Sequence, residues 1–584
     1  MTARRLWTIL FFILGIAAWA VLTGGATGTW AQLVAVATVS GLCLAPSMRD
    51  RMVGVIAWFR TRHRGWSALV VWITSAAYLL LAAWAQGRTL KPTWADEFSL
   101  LLQTRIFAAG HLSMPVHPLA DSLDTFYALV RPVYSSIYFA GSPLLYTPAT
   151  LFGLPTWLIP LLVTSGAVAV TYLVLCELLD PAYAAVGVLL MWAAWTVRLL
   201  SIMVMSQSIA MLLGISLVWA YLKWRENFHW RWSLLLGICT GWLLITRPGD
   251  ATYLAAPIIV AGLFDVRRAK PAAIVRSTAI VLAIAAPIVA IQLDINHNAS
   301  GSVFTSSYQM YLEQYCPEIA LGFTKPDPRR VMPTPAKQAY FDLDVVPAVN
   351  FHAITPAWAQ LLGRASQFVY ASVAWSPLVI LLPLSVLALD RRRAVLWVVL
   401  ILFQAFYLLY SYLTMQYLAM AMPAWVLWHL LGVEAIARAL PDRAWLRPAM
   451  LLCLAALLIV YLPPLNPYRH DAIIDGRDLA AVDEALKSVQ TPAVVMFHFA
   501  RGQCDMQQEP VYNADVAWPD DAPIVRLHDL DREKNFNVIR YYGERQPDRM
   551  FYLYDRGTHA LTQLNTAGEL MRLNAPGPIM GKKE

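Results

Sequence analysis

The sequence is short of charge. Only 14% of its 584 residues are Asp, Glu, Lys or Arg, where a water-soluble domain carries about a quarter. With 58% hydrophobic residues and a mean hydropathy of +0.52, this shortfall excludes an ordinary soluble enzyme. Cysteine is scarce as well. The chain has six cysteines and no CxxC or Cys/His metal spacing, which excludes a zinc module. Cys43, Cys176, Cys239 and Cys453 lie in apolar runs and read as small packing residues. There is no glycine-rich phosphate loop, so nothing in the chain is built to cradle a nucleotide. It also lacks internal repeats and the matched broken helices that mark many transporters. The net charge of +8 is scattered between apolar runs rather than gathered on one face, which argues against nucleic acid.

What the chain does have is a succession of apolar runs near the length that crosses a bilayer, about 20 residues. Thirteen are read, at 6–23, 30–47, 66–85, 156–176, 182–199, 205–222, 233–246, 251–264, 277–293, 369–389, 394–413, 417–437 and 446–464. The 23 Trp and 25 Tyr suit anchoring at two water–membrane interfaces. Segments 233–246 and 251–264 are short, about 21 Å of helix, and read as tilted spans or a re-entrant pair. With the N-terminus cytoplasmic, clusters such as Arg49, Arg51, Arg60, Arg62 and Arg64, Arg267 and Arg268, and Arg391 to Arg393 all fall inside. The short outer turns carry only Arg198 and Arg247. This asymmetry orients the chain. The first run also fits a signal peptide, whose cleavage would leave the rest unchanged.

Three longer segments then lie on the non-cytoplasmic side: 86–155, 294–368 and 465–584. The last opens on Pro463, Pro464 and Pro467 and continues with a helical pattern at 478–489 and strand-like runs at 493–499 and 550–554. That alternation predicts a small α/β domain. The expected organisation is an N-terminal hairpin (1–65), a membrane domain (66–465) and an outer α/β domain (466–584). Cys316 and Cys504 both fall outside, in the oxidising compartment. A disulfide between them is one reading, two unpaired thiols the other.

The first outer segment carries an acidic pair, Asp96-Glu97, at the head of a pattern with Phe98, Leu101, Leu102, Ile106 and Phe107 apolar. The spacing predicts a helix from Glu97 to Gly110 lying in the membrane interface, with Asp96 as its N-cap and Glu97 in the first turn. The pair reads either as a helix cap or as a carboxylate positioned to deprotonate an acceptor hydroxyl.

The stretch from Ala95-Asp96-Glu97-Phe98-Ser99 through Gly110-His111-Leu112 resembles the first outer loop of the C-type (GT-C) membrane glycosyltransferases, particularly bacterial family-39-like members. Gly141-Ser142-Pro143-Leu144, Gly153-Leu154-Pro155, Thr246-Arg247-Pro248 and Asn296-His297-Asn298 with Gly301-Ser302 are similar in order and placement. The resemblance spans about residues 66–465. It implies a polytopic α-helical fold, a polyprenyl-phosphate sugar donor and Asp96 as base or acceptor-positioning group, with Glu97 as its helper. Arg247 is the candidate for the donor phosphate, its guanidinium fork suiting phosphate oxygens, and pairing with Asp250 or with lipid headgroups is the alternative. Arg105 and Arg198 are weaker phosphate candidates that read better as plain interface anchors. Ser206-Gln207-Ser208 stands where similar proteins carry a His. No metal is required; Asp342-Leu343-Asp344, His111 and His117 are the residues that would be examined for one, and Asn298-Ala299-Ser300 is a glycosylation sequon by pattern.

The expected function is transfer of a sugar from a polyprenyl-phosphate donor to a hydroxyl of an envelope lipid, glycan or protein, in a multi-pass protein of the bacterial inner membrane. The rival readings are a transporter or flippase, and an envelope assembly protein without chemistry of its own.

Overall fold

The structure is a computed structural model that describes residues 64–319, 321–372, 376–439, 445–463 and 476–574, with isolated positions before residue 64. The expected spans 6–23 and 30–47, with Cys43, and the hinge prolines Pro464 and Pro467 lie outside the described residues. The described residues are mostly helical, with a four-stranded sheet near the C-terminus and a two-stranded one at 128–136, and the chain divides into two compact units. The first, a helical unit, takes in 155–291, 354–473 and the residues before 91. The second takes in 91–154, 292–353 and 474–584.

Within the helical unit, Gly65–Ala85, Leu158–Leu178 and Met415–Ala439 are long and apolar enough to cross a membrane; with Pro271–Ser300, that makes four such helices among the described residues. Shorter apolar helices run over Pro181–Ala193, Leu378–Ala388, Ala394–Leu408 and Leu446–Ile459. Several expected spans are resolved differently. The run at 182–199 is two helices, Pro181–Ala193 and Trp195–Leu200, because Ala194 turns to an extended backbone. Asp180 caps the first, its carboxylate accepting from the N–H groups of Ala182 and Tyr183 at 2.8 and 3.2 Å, with Pro181 leading the helix. The run at 369–389 is broken into three pieces over Ser376–Ala388, where Pro377 and Pro383 remove two backbone donors. The two short segments are longer than expected, Trp230–Leu244 and Pro248–Asp265, at 15 and 18 residues.

Helix breaks strand carbonyl groups in an apolar setting, and arginines take them up. Arg198, 1% exposed, donates to the carbonyls of Trp192 and Ala193 at 2.8 and 2.6 Å, closing the end of the helix Pro181–Ala193. Arg88 donates to the carbonyls of Arg198 and Leu199, both at 2.8 Å. Arg393 reaches the carbonyls of Leu178 and Ala388 at 3.0 and 2.7 Å. Arg198 is therefore a helix-closing residue rather than an interface anchor.

The second unit carries the sheet. Strand Ala493–His498 lies between Ile524–His528 and Met550–Asp555, all parallel, and Ala560–Thr566 adds an antiparallel edge. The helix Arg477–Leu486 and the strands Ala493–His498 and Met550–Asp555 fall on the patterns read at 478–489, 493–499 and 550–554. The strands Ile524–His528 and Ala560–Thr566 were not anticipated. The first and last chain segments of this unit share a buried interior. Leu102, Ile106, Leu119, Val130 and Tyr134 pack with Val494, Met496, Val525, Val538, Tyr542 and Phe551 in one buried cluster.

Cys316 and Cys504 are free thiols, so the bridge considered between them does not form. Cys316 is buried, and burial pushes its thiol up to about 12. Cys504 Sγ lies 3.3 Å from the Ala500 carbonyl, to which it donates.

Candidate active site

Asp96 stands in the first turn of the helix Ala95–Ala108, in the second unit. The N-cap is Trp94, not Asp96. An indole offers no acceptor for the first helical N–H groups, while Glu97 reaches back to the N–H groups just before the helix. Its Oε2 accepts from the backbone N–H of Thr93 at 2.9 Å and of Trp94 at 3.2 Å, as the third residue of a capping box does. Glu97 is 2% exposed. Asp96 is half-buried, and the Tyr138 hydroxyl donates to its Oδ1 at 2.5 Å.

The helix buries Ala95, Glu97, Ser99, Leu100, Leu102, Gln103, Thr104 and Ile106. Its polar residues are spent on neighbours. Ser99 donates to the Tyr127 carbonyl at 2.6 Å and pairs with the Ser136 hydroxyl at 2.7 Å. Gln103 bridges the Leu112 carbonyl (2.8 Å) and the Ser136 N–H (3.1 Å). The short antiparallel pair Ala128–Leu129 with Ser135–Ser136 is pinned to the helix in this way.

Aromatic side chains gather near Asp96. Phe98 stacks on Tyr512 at 5.1 Å, and Tyr127 lies 5.9 Å from Tyr138 and 6.2 Å from Tyr311. Tyr127 has φ of 56°, a left-handed conformation that costs a side-chain-bearing residue about 1–2 kcal/mol. It is held there by Ser99 on its carbonyl, by the Tyr311 hydroxyl 3.2 Å from its N–H, and by a 3.2 Å contact between its hydroxyl and that of Tyr340. Burial pushes the Tyr512 hydroxyl well above its ordinary pKa, with the charges of Glu509 and Asp96 adding to the effect.

A buried ion pair lies farther along the same segment. Lys337 Nζ is 2.6 Å from Asp124 Oδ1, with both residues 3% exposed. The Tyr315 hydroxyl is 3.0 Å from each Asp124 oxygen, and Lys337 sits 3.5 Å above the Tyr315 ring. Burial lowers the Lys337 pKa despite the adjacent carboxylate. Sequence reasoning passed over Asp124, Lys337 and Tyr138, because Asp124 and Lys337 come from different segments and Tyr138 stands 42 residues from the carboxylate it meets. Only the frequency of Tyr in the outer segments hinted at them.

Asp342, Asp344, His117 and Asn298 have structural partners. Asp342 holds Arg501 at 3.0 Å and Gln338 at 2.9 Å, and Asp344 accepts from Gln507 at 2.7 Å. His117, 1% exposed, accepts the Leu119 N–H on Nδ1 at 3.0 Å, leaving Nε2 to donate to Asp520 at 3.2 Å. Tyr541 and Tyr542 donate to the same carboxylate at 2.6 and 2.7 Å, and these bonds bring Asp520 down to about 2 against the cost of burial. His111 is exposed. Among the described residues no group of three His, Cys, Asp or Glu is placed to hold a metal. Asn296 is buried, its amide donating to the Val303 carbonyl at 2.9 Å, while Asn298 is exposed and accepts from the Ser113 hydroxyl at 2.6 Å. Arg105 is half-buried in the last turn of the Asp96 helix and makes no ion pair among the described residues.

Arg247 lies in the helical unit, at the junction of Trp230–Leu244 and Pro248–Asp265. It pairs with Asp250 through Nε, as the alternative reading held. Nη1 donates to the Ser206 hydroxyl at 3.0 Å, Nη2 lies 3.4 Å from the Tyr407 hydroxyl, and the guanidinium sits 4.7 Å from the Tyr417 ring centre. Tyr407 in turn donates to Asp250 at 2.5 Å. The side chain keeps 16% of its surface exposed.

No family model matches the chain, and no curated protein matches it. Among solved structures it is similar to ArnT from Cupriavidus metallidurans bound to undecaprenyl phosphate, at 12% identity and a TM-score of 0.47, over 86% of this chain and 93% of that one. It is also similar to the archaeal oligosaccharyltransferase AglB from Archaeoglobus fulgidus in complex with an inhibitory peptide and a dolichol-phosphate, at 13% identity and a TM-score of 0.40, over 83% of this chain and 58% of that one. A third is the arabinofuranosyltransferase AftD from Mycobacteria, at 13% identity and a TM-score of 0.42, over 84% of this chain and 35% of that one.

Proposed function

We propose that this protein transfers a sugar from a polyprenyl-phosphate donor to an acceptor hydroxyl on the non-cytoplasmic side of a bacterial inner membrane. The observation that carries the reading is the unequal use of the acidic pair. Glu97 is consumed by capping the helix, whereas Asp96 is half-buried and fixed by Tyr138. A carboxylate held in place beside aromatic side chains is suited to general-base work on a sugar or lipid hydroxyl. In the proposed step the acceptor oxygen attacks the anomeric carbon as its proton passes to Asp96. The bond from that carbon to the phosphate oxygen breaks, and its electron pair leaves on polyprenyl phosphate. A single displacement of this kind inverts the anomeric centre. Arg247 is the proposed contact for the donor phosphate, and Arg105 remains a secondary candidate for the same anion.

Reconstituted protein given a radiolabelled polyprenyl-phosphate sugar tests this directly. Asp96→Asn is expected to lower turnover by at least about a hundredfold without altering insertion or thermal unfolding. Arg247→Lys, which keeps the charge and loses the fork, is expected to raise the donor KM more than it lowers kcat. An Asp96→Asn protein with wild-type turnover would remove the base. Donor binding with no turnover by the wild type would favour an assembly protein instead.

A further inference from the structure

We propose that Tyr138 is a positioning residue for the Asp96 carboxylate, holding it ionised and in one orientation through a hydrogen bond that is itself locked to Asp96's own helix. The inference rests on the reading of Asp96 as base and goes beyond it by naming the group that prepares that base. The Tyr138 hydroxyl donates to Asp96 Oδ1 at 2.5 Å. Its position along the chain is set by its backbone N–H, which donates to the Ser136 hydroxyl at 3.1 Å. That hydroxyl lies 2.7 Å from the Ser99 hydroxyl, and Ser99 is one turn along the same helix as Asp96. Asp96, Tyr138, Ser136 and Ser99 therefore close a ring, and a shift of the carboxylate must displace a buried pair of serines. A second anchor is the strained Tyr127, whose carbonyl takes the Ser99 proton at 2.6 Å and whose ring lies against that of Tyr138. Strain of this sort persists where the surroundings over-determine it, and it concentrates at working sites.

The chemistry follows from the donor. A hydroxyl proton directed at a carboxylate favours the ionised form, and an ionised Asp96 is the form that can accept the acceptor's proton. Once Asp96 is protonated, the same bond weakens, which favours release of the proton after transfer. Titratable groups near Asp96 among the described residues include Glu97 on its own helix, Tyr127 and Tyr512. Glu97 is committed to Thr93 and Trp94, and the Tyr512 hydroxyl to the Phe126 carbonyl at 2.7 Å.

The test is Tyr138→Phe in the full chain, assayed for transfer across pH beside Ser136→Ala and Asp96→Asn. Removal of the hydroxyl is expected to lower kcat by about tenfold, the scale of a lost hydrogen bond to a charged group, with the donor KM within about twofold. The acid limb of the kcat–pH profile should move to higher pH, a change that a merely structural defect would not produce. Ser136→Ala should move the limb in the same direction by less, and it carries the test if Tyr138→Phe fails to fold. A wild-type acid limb and kcat in both variants, with Asp96→Asn inactive, would overturn the role of Tyr138 and leave the base in place. An active Asp96→Asn protein would overturn both.

Discussion

Two adjacent carboxylates on one turn of helix have been sorted by their surroundings into separate tasks. Glu97 sits where its side chain reaches back to two N–H groups that would otherwise lack an acceptor, and its burial leaves no room for a substrate. This predicts a clean division between variants. Glu97→Ala should cost about 1–2 kcal/mol of stability, the value of a lost cap, whereas Glu97→Gln, which can still reach back, should cost less and keep transfer. Asp96→Asn should do the opposite, losing transfer at unchanged stability. Thermal unfolding in detergent beside the transfer assay separates the two columns, and a Glu97→Gln protein with no turnover at wild-type stability would return Glu97 to the chemistry.

At the scale of elements, the helical unit depends on close approach and on closing broken helix ends. Gly432 in Met422–Ala439 faces the backbone of Leu381 so closely that a Cβ would meet its carbonyl oxygen at 2.3 Å and its Cβ at 2.7 Å. Backbone cannot swing aside as a side chain can, so Gly432→Ala should destabilise by about 1–3 kcal/mol. Gly262→Ala, with nothing within 4 Å, should be tolerated, and expression with thermal unfolding of the two variants checks the contrast. The same unit shows what the sequence made legible. The apolar runs located nearly every helix, since burial in an apolar medium demands long uncharged segments. The break at Ala194 was not visible, because it depends on Arg198 reaching carbonyls five and six residues behind it. The cap of the Asp96 helix was misplaced for a similar reason. Asp is a strong cap by preference, but here the chain enters the helix two residues earlier, at Trp94, and a glutamate three residues on does the work. The disulfide considered between Cys316 and Cys504 rested on compartment alone, and geometry did not support it.

At the scale of the whole molecule, the second unit is assembled from stretches far apart in the chain, and polar ties join them. Asp520 is one such tie, binding His117 as well as Tyr541 and Tyr542. Its folded pKa, about 2, lies below the ordinary carboxylate value of 3.8. A lowered carboxylate pKa contributes stability that is fully present above about pH 4 and is lost as pH falls towards 2. The contribution is on the order of 2 kcal/mol. Acid titration of the full chain, followed by protease sensitivity of residues 91–154, should show loosening in that window. Asp520→Asn should be looser at neutral pH and flat across the same window. If the wild type shows no change between pH 5 and 2, the tie is weaker than its geometry implies.

The shared interior of that unit also sets a schedule for biosynthesis. Leu102 and Ile106 leave the ribosome long before Val494, Met496 and Val525, with which they pack, and residues 155–473 intervene. At roughly 5–20 residues per second, the earlier stretch waits about a quarter of a minute to a minute for its complement. During that interval its apolar faces must be shielded by a chaperone or by lipid, so the step most exposed to quality control is the arrival of the last hundred or so residues.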